Sequence, residues 1–365
     1  MSERLPETVA AGGLPGSPEG AERQTPDRDR KAEHLDLALD PWVQVGAGAF
    51  DEYRLEHCAL PEIDADEIDT RCDFLGRALE LPLLISCMTG GTEEAEAINR
   101  HLAEAAQQAR IALGVGSQRK ALEDAGQRAT FAVRRYAPDV PVLANLGAVQ
   151  LNYGYGPDEC RQAVEMVEAD ALVLHLNPLQ EAIQPEGDLR FGRLLPRIAE
   201  VVEALDREAI PVVVKEVGNG LSRRVGEALA AVGVKVLDTA GAGGTSWARI
   251  EASRAGDLPL GELFGSWGIP TPESILQLRD LPGVEVIGSG GLRHGLDVAK
   301  ALALGARLGA MAYRFVAPAR AGTEAVVAKI EQTGGELRIA MLCTGSRDLP
   351  ALARVPWTRV RTAAT

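Results

Sequence analysis

The stretch VIGSGGLRHGLDVAKALALGA, residues 286–306, decides the fold. It opens with a short apolar, β-prone run, breaks at a Gly-Gly pair and continues with helical spacing. A strand that feeds a helix through glycine is the unit of a parallel sheet with right-handed crossovers. Moving outward, the same rhythm recurs. The apolar runs are LPLLISCMTGG, IALGVGSQ, VPVLANLGA, ALVLHLN, PVVVKEVG, VKVLDTAGAGG, VEVIGSGG and LGAMA. Between most of them lie amphipathic stretches such as EEAEAINRHLAEAAQQAR. Eight such units predict an α/β chain folded as a (β/α)8 TIM barrel; a doubly wound open sheet is the competing arrangement.

The flanks differ. Residues 1–26 are rich in Pro, Gly and Glu, lack periodicity and read as a disordered tail. Residues 27–365 then form a single barrel domain that includes an N-terminal arm. DRDRKAEHLDLAL reads as a short helix or irregular arm, and residues 50–80 as short antiparallel pieces covering something.

Bulk composition narrows the function. A formal net charge of −14 argues against nucleic-acid or anionic-membrane binding, which needs a cationic footprint. It leaves room for a small anion held by local cations and a metal. No apolar run reaches the ~20 residues of a membrane span. Five cysteines, none in a CxxC pair, read as reduced thiols of a cytoplasmic protein.

In a barrel, the ends of the runs converge on one face, where sites of this fold lie. Here they end in Thr89-Gly90-Gly91, Gly116-Ser117-Gln118-Arg119, Asn145, His175 and Asn177, Lys215-Glu216, Thr239 through Thr245, and Ser289-Gly290-Gly291. One polar ending is turn chemistry; seven favour a large site with an extended ligand. The glycine-rich loops AGAGGTSW, 240–247, and GSGGLR, 288–293, lie at neighbouring strand ends. With Thr245 and Arg293 as donors and a helix N-terminus behind, they suggest a phosphorylated cofactor such as FMN. No G-x-G-x-x-G fingerprint follows the first strand. Lys215 would face inward with Val213, as a Schiff-base lysine, a charge against a cofactor, or an ion-pair partner of Glu216. LHLNPLQE, 174–181, sends His175 and Asn177 one way and stops at Pro178. Glu181 suits Mg2+, which takes one or two carboxylates plus phosphate oxygens and water; a solvated capped loop is the plainer reading. RKAEH, 30–34, reads as a solvated charge run or a phosphate clamp. His57, His101 and His294 read as structural or surface residues.

In combination, RKAEH, MTGG, GVGSQR, NLGA, HLNPLQE, VKEVGNGLS, AGAGGTSWARIE, WGIPT and GSGGLRHGLDVAKALALGA run in order from residue 30 to about residue 311. The chain thereby resembles the type 2, FMN-dependent isopentenyl-diphosphate isomerase family. The resemblance implies a flavin-bearing barrel that interconverts isopentenyl and dimethylallyl diphosphate. It implies FMN contacts from Met88, Thr89, Gly90, Ser117, Asn145, Lys215 and Thr245, with the flavin phosphate at Gly290, Gly291, Arg293, Ala310 and Met311. Arg30, Lys31, His34, Ser117, Gln118 and Arg119 would bind the diphosphate, and Glu181 would hold Mg2+. His175, Asn177 and Gln180 would line the pocket at the reacting carbons. The flavin would be reduced by NADPH and would itself move the proton, which suits a motif set with no evident carboxylate or cysteine pair for that task. Homotetramers or octamers are common in the family. Cys87 departs from the expected smaller or hydroxylated residue beside the flavin turn.

Three other readings stand beside this one. An FMN-dependent 2-hydroxy-acid oxidoreductase on the same barrel would need a histidine base and an arginine pair. A non-catalytic flavin or phosphate binder would not need Lys215, Glu181 and Gln180 together. Lysine- or metal-dependent aldol chemistry would need no flavin.

Overall fold

The computed structural model describes residues 30–46 and 48–360, apart from the side chains of residues 30–32; the tail at 1–26 lies outside them. Eight parallel strands close into a barrel: β1 Leu83–Ile85, β2 Ala112–Gly114, β3 Val142–Gly147, β4 Ala171–His175, β5 Val212–Lys215, β6 Val236–Asp238, β7 Glu285–Ser289 and β8 Leu308–Met311. They pair in sequence order, with β8 returning to β1. Each corresponds to one of the eight apolar runs, and the open-sheet alternative falls.

Strand alternation sorts the core into two shells. Leu84, Ala112, Leu143, Val173, Val213, Val236, Ile287 and Leu308 fill the barrel interior. Their neighbours Leu83, Ile85, Leu113, Leu172, Leu174, Val212, Val214 and Leu237 face outward against the helices. The β-hairpin Cys72–Phe74/Arg77–Leu79 buries Phe74 and Leu79 in the interior shell, so it plugs the barrel.

The arm begins with the helix Arg30–Ala38. It then runs over the glycine-rich loop after β6. Val45 N donates to Gly244 O (2.8 Å) and Ser246 N to Val43 O (2.8 Å). Beyond it, Tyr53–Leu55 pairs antiparallel with Trp357–Arg359. His294 caps the helix Gly295–Leu304 by accepting from Asp297 N, the structural role expected of it.

Candidate active site

Register brings the polar strand ends together. Gly147, His175, Lys215 and Asp238 are successive partners across β3, β4, β5 and β6. Above them opens a cavity of about 490 Å3.

One side of this cavity is built from glycine. Gly290 and Gly291 have φ of +100° and +73°, a region that side-chain-bearing residues avoid. A Cβ on Gly290 would lie 2.2 Å from Gly241 O, and one on Gly291 would lie 2.2 Å from Gly243 O. The two loops are thus packed backbone on backbone, a cradle that any side chain would fill. Nearby, the buried hydroxyl of Thr89 has no hydrogen-bond partner. Burying such a group costs free energy unless a ligand satisfies it. Lys215, also buried, donates to Glu216 O (2.6 Å). The Glu216 carboxylate instead takes the backbone amides of Val217, Gly218 and Asn219 at 2.6–2.9 Å. Burial pushes Glu216 up to about 7, against the pull of those amides and Lys215. Asp238 accepts from Ser289 Oγ and from Ala240 N (3.2 Å). Burial raises its pKa, against the pull of Lys215.

His175 is a neutral imidazole here. Burial, then the nearby Lys215 charge, lower its pKa from 6.5 to about 3. Its Nδ1 lies 2.9 Å from Asn145 Oδ1. An amide oxygen only accepts, so the network assigns the proton to Nδ1 and leaves Nε2 an acceptor.

The opposite wall is a chain of linked side chains. Pro178 occupies the first turn of the helix Pro178–Ile183, where its missing N–H costs nothing. Asn177, just ahead of it, donates to Glu181 Oε1 (2.7 Å) and Gln180 Oε1 (3.2 Å). Asp188 N donates to Glu181 Oε2 (2.7 Å). Gln180 Nε2 donates to Glu251 Oε1 (2.8 Å). Glu251, with no exposed surface, also pairs with Arg254 (2.7 Å) and lies 3.0 Å from His34 Nε2. Burial raises the Glu251 pKa, but its bonds from His34, Gln180 and Arg254 outweigh that and hold it below the usual value. His34 stands edge-on to Trp247. At the rim, Arg119 is braced by Glu123 (3.0 Å) and Asp188 (2.9 Å). The buried Oδ1 of Asn177 is a second orphan. Among the described residues, no three His, Cys, Asp or Glu side chains form a metal-binding group.

Comparison with known proteins follows this geometry. A family model described as FMN-dependent dehydrogenase matches residues 271–358. An isopentenyl-diphosphate delta-isomerase of Synechococcus sp. is 53% identical, over 92% of this chain and 97% of its own length. One of Stutzerimonas stutzeri is 51% identical, over 88% and 94%. The chain belongs to the isopentenyl-diphosphate delta-isomerase family. Mandelate oxidase with (S)-2-phenylpropionate superposes with a TM-score of 0.64 at 19% identity, over 90% of this chain and 98% of that one. At that identity the likeness is one of fold.

Set against the family's motifs, most expected site residues meet at the cavity. His34, Met88, Thr89, Ser117, Arg119, Asn145, His175, Asn177, Gln180, Glu181, Lys215, Thr245, Gly290, Gly291, Arg293, Ala310 and Met311 all line it. Three need correction. Gln118 does not reach the cavity: fully buried, its amide donates to Ala163 O (2.8 Å) and accepts from Asn145 N (2.9 Å). It holds β3 in place and has no donor left aimed at a ligand. Gly90 is a glycine because a Cβ would lie 2.0 Å from the Phe131 ring, and it does not line the cavity. Arg293 lines it, but its guanidinium is held by Asp297 (2.8 Å) and Asp51 (2.6 Å), so it braces the arm instead of standing free as a phosphate donor. Arg30 and Lys31 have side chains outside the described set.

Sequence reasoning missed Glu251, Gln44, Gln150, Trp247 and Arg314. Glu251 closes the motif AGAGGTSWARIE, one helical turn from Trp247. Gln44 bonds Thr245 Oγ1 (3.0 Å) from the arm. Gln150 donates to Asp188 (2.9 Å). Cys87 is accommodated by a glycine opposite: a Cβ on Gly114 would lie 2.6 Å from its sulfur. Burial raises its thiol pKa.

Proposed function

We propose that this chain interconverts isopentenyl and dimethylallyl diphosphate, with FMN, NADPH as reductant and Mg2+ as its cofactors. The observation that supports this best is the linked wall Asn177–Gln180–Glu251–His34. It presents amide side chains beside the cavity, and its two carboxylates, Glu181 and Glu251, are engaged by neighbours.

The residues fit the flavin. Thr89 has the orphan hydroxyl, Lys215 the buried charge, and the Gly290–Gly291 loop the cradle for a phosphate. Met88, Ser117, Asn145, Thr245, Ala310 and Met311 complete the flavin side, with Gly90 contributing only backbone shape. When bound, reduced flavin supplies the acid–base group for the allylic proton shift, with no net redox change. The chain's own residues do the rest. Arg119, Ser117 and His34, with Arg30 and Lys31 from the arm, bind the diphosphate. Glu181 would supply a protein carboxylate to Mg2+, an ion that takes one or two carboxylates beside phosphate oxygens and water. That remote binding energy fixes the alkene against the flavin. Gln180 is pinned by Glu251, so its role is orientation. His175, neutral, offers Nε2 as an acceptor. Asn177 ties Gln180 to Glu181, coupling the metal end of the pocket to the reacting end.

The hydroxy-acid oxidoreductase reading loses support at His175, which bonds an amide and lacks the carboxylate partner of a base. Among the described residues no helix is long and apolar enough to cross a membrane, and we read the protein as cytoplasmic and homo-oligomeric, a tetramer or octamer. The test is a visible spectrum, anaerobic reduction by NADPH, and an isomerisation assay with Mg2+. Flavin bands followed by product support the proposal. A flavoprotein that turns over a 2-hydroxy acid and isomerises nothing overturns it.

A further inference from the structure

Five cysteines are scattered along the sequence. Cys160 is buried and Cys72 and Cys87 are half-buried, and burial pushes these three thiols up, Cys72 to about 11 and Cys160 to about 12. Cys58 is half-buried and Cys343 exposed. These two meet. Cys343 is the last residue of the helix Thr323–Cys343, and Cys58 N donates to its carbonyl at 2.7 Å. The bond satisfies one of the carbonyls that a helix end leaves open. It also holds the two Cα atoms within about 6.5 Å, given standard backbone lengths, inside the range of about 4.4–6.8 Å that a disulfide spans.

Local structure fixes this approach. The chain turns back after the helix through Gly345, at φ +66°, with Ser346 N donating to Met341 O (2.8 Å). That turn wraps the Cys58 side chain: its sulfur lies 3.3 Å from where a Cβ on Gly345 would stand. Two residues earlier, Glu56 N donates to Pro356 O (2.8 Å), so the Cys58 segment is anchored on both sides.

We infer that Cys58 and Cys343 are a disulfide-forming pair that staples the segment after the arm to the C-terminal helix under oxidising conditions. With a peroxide as oxidant, one thiolate attacks oxygen. An S–O bond forms, the O–O bond breaks and hydroxide leaves as water. The second sulfur then displaces the S–OH oxygen as a second water while the S–S bond forms. Two thiols and one peroxide give one disulfide and two waters, the two electrons passing from sulfur to peroxide.

The test treats native, flavin-loaded full chain with hydrogen peroxide, alkylates the remaining thiols and digests with trypsin. The expected product joins LEHCALPEIDADEIDTR (55–71) to IAMLCTGSR (339–347). It disappears with dithiothreitol and is absent from Cys58→Ser and Cys343→Ser. Oxidised wild type should also melt higher than oxidised Cys343→Ser, and reduction should remove the difference. Separate oxidation of the two cysteines without linkage overturns the inference. So does linkage only after denaturation, linkage between chains, or a link that leaves the melting midpoint unmoved.

Discussion

Glu251→Gln tests the wall of the pocket most sharply, because the outcome can be worked through atom by atom. Oε1 of Glu251 serves Gln180 and His34, and Oε2 serves Arg254. An amide has one acceptor. If its oxygen keeps Arg254, its NH2 faces the NH2 of Gln180, and two donors oppose each other. Gln180 must then flip, which turns its own NH2 toward Asn177 Nδ2 and breaks the 3.2 Å bond there. The change thus travels to the residue that holds Glu181. Charge-assisted bonds are worth about 1.5–3 kcal/mol and neutral ones about 0.5–1.5. Arg254 retains Glu33 and Glu186, each at 3.1 Å, so the stability cost stays near about 2 kcal/mol and the fold survives. Displacing an orienting side chain by about 1 Å costs about 100-fold in rate. The expectation is a fall in kcat/KM of about that size with flavin content and spectrum unchanged, measured by steady-state isomerisation beside urea denaturation. Kinetics within about twofold of wild type would refute the reasoning, as would activity lost only in proportion to lost flavin.

Three further outcomes are expected. Glu181→Gln forfeits one charge-assisted contact, so the Mg2+ requirement should rise by about 10–100-fold with flavin still bound; an unaltered Mg2+ titration removes Glu181 from the metal. Lys215→Ala removes the buried charge beneath the cofactor side. Flavin affinity, followed by fluorescence on titration, should drop by about tenfold or more, and full retention rejects the role. His175 has a folded pKa lowered to about 3. As pH falls below about 6.5 the unfolded chain takes up a proton that the folded chain refuses, so stability declines over that window, by about 2 kcal/mol at about pH 5. His175→Gln should lack that part of the slope in denaturant titrations; equal slopes would mean the imidazole is charged in the fold.

The barrel was legible because each strand announces itself locally, as an apolar run closed by glycine or a polar group. The cavity residues were legible for the same reason: they sit where those runs end. What escaped depends on partners far along the chain. Gln118 looks like a ligand-facing residue until Ala163 and Asn145 claim its amide. Gly90 looks like a loop glycine until Phe131 packs on it. Arg293 loses its freedom to Asp51, 242 residues away. Glu251 sits in a quoted motif, yet only the fold brings it to Gln180, 71 residues off.

The arm has a consequence for how the protein is made. Its contacts lie with residues synthesised much later: Gln44 with Thr245, Phe50 O with Lys300, Asp51 with Arg293, and Tyr53–Leu55 with Trp357–Arg359. A nascent chain therefore carries the arm without these partners while six strands emerge. Contacts of such sequence separation form slowly. Of these partners only Trp357–Arg359 lies beyond β8, so pairing with it fastens the far end of the arm after the last barrel strand has been made.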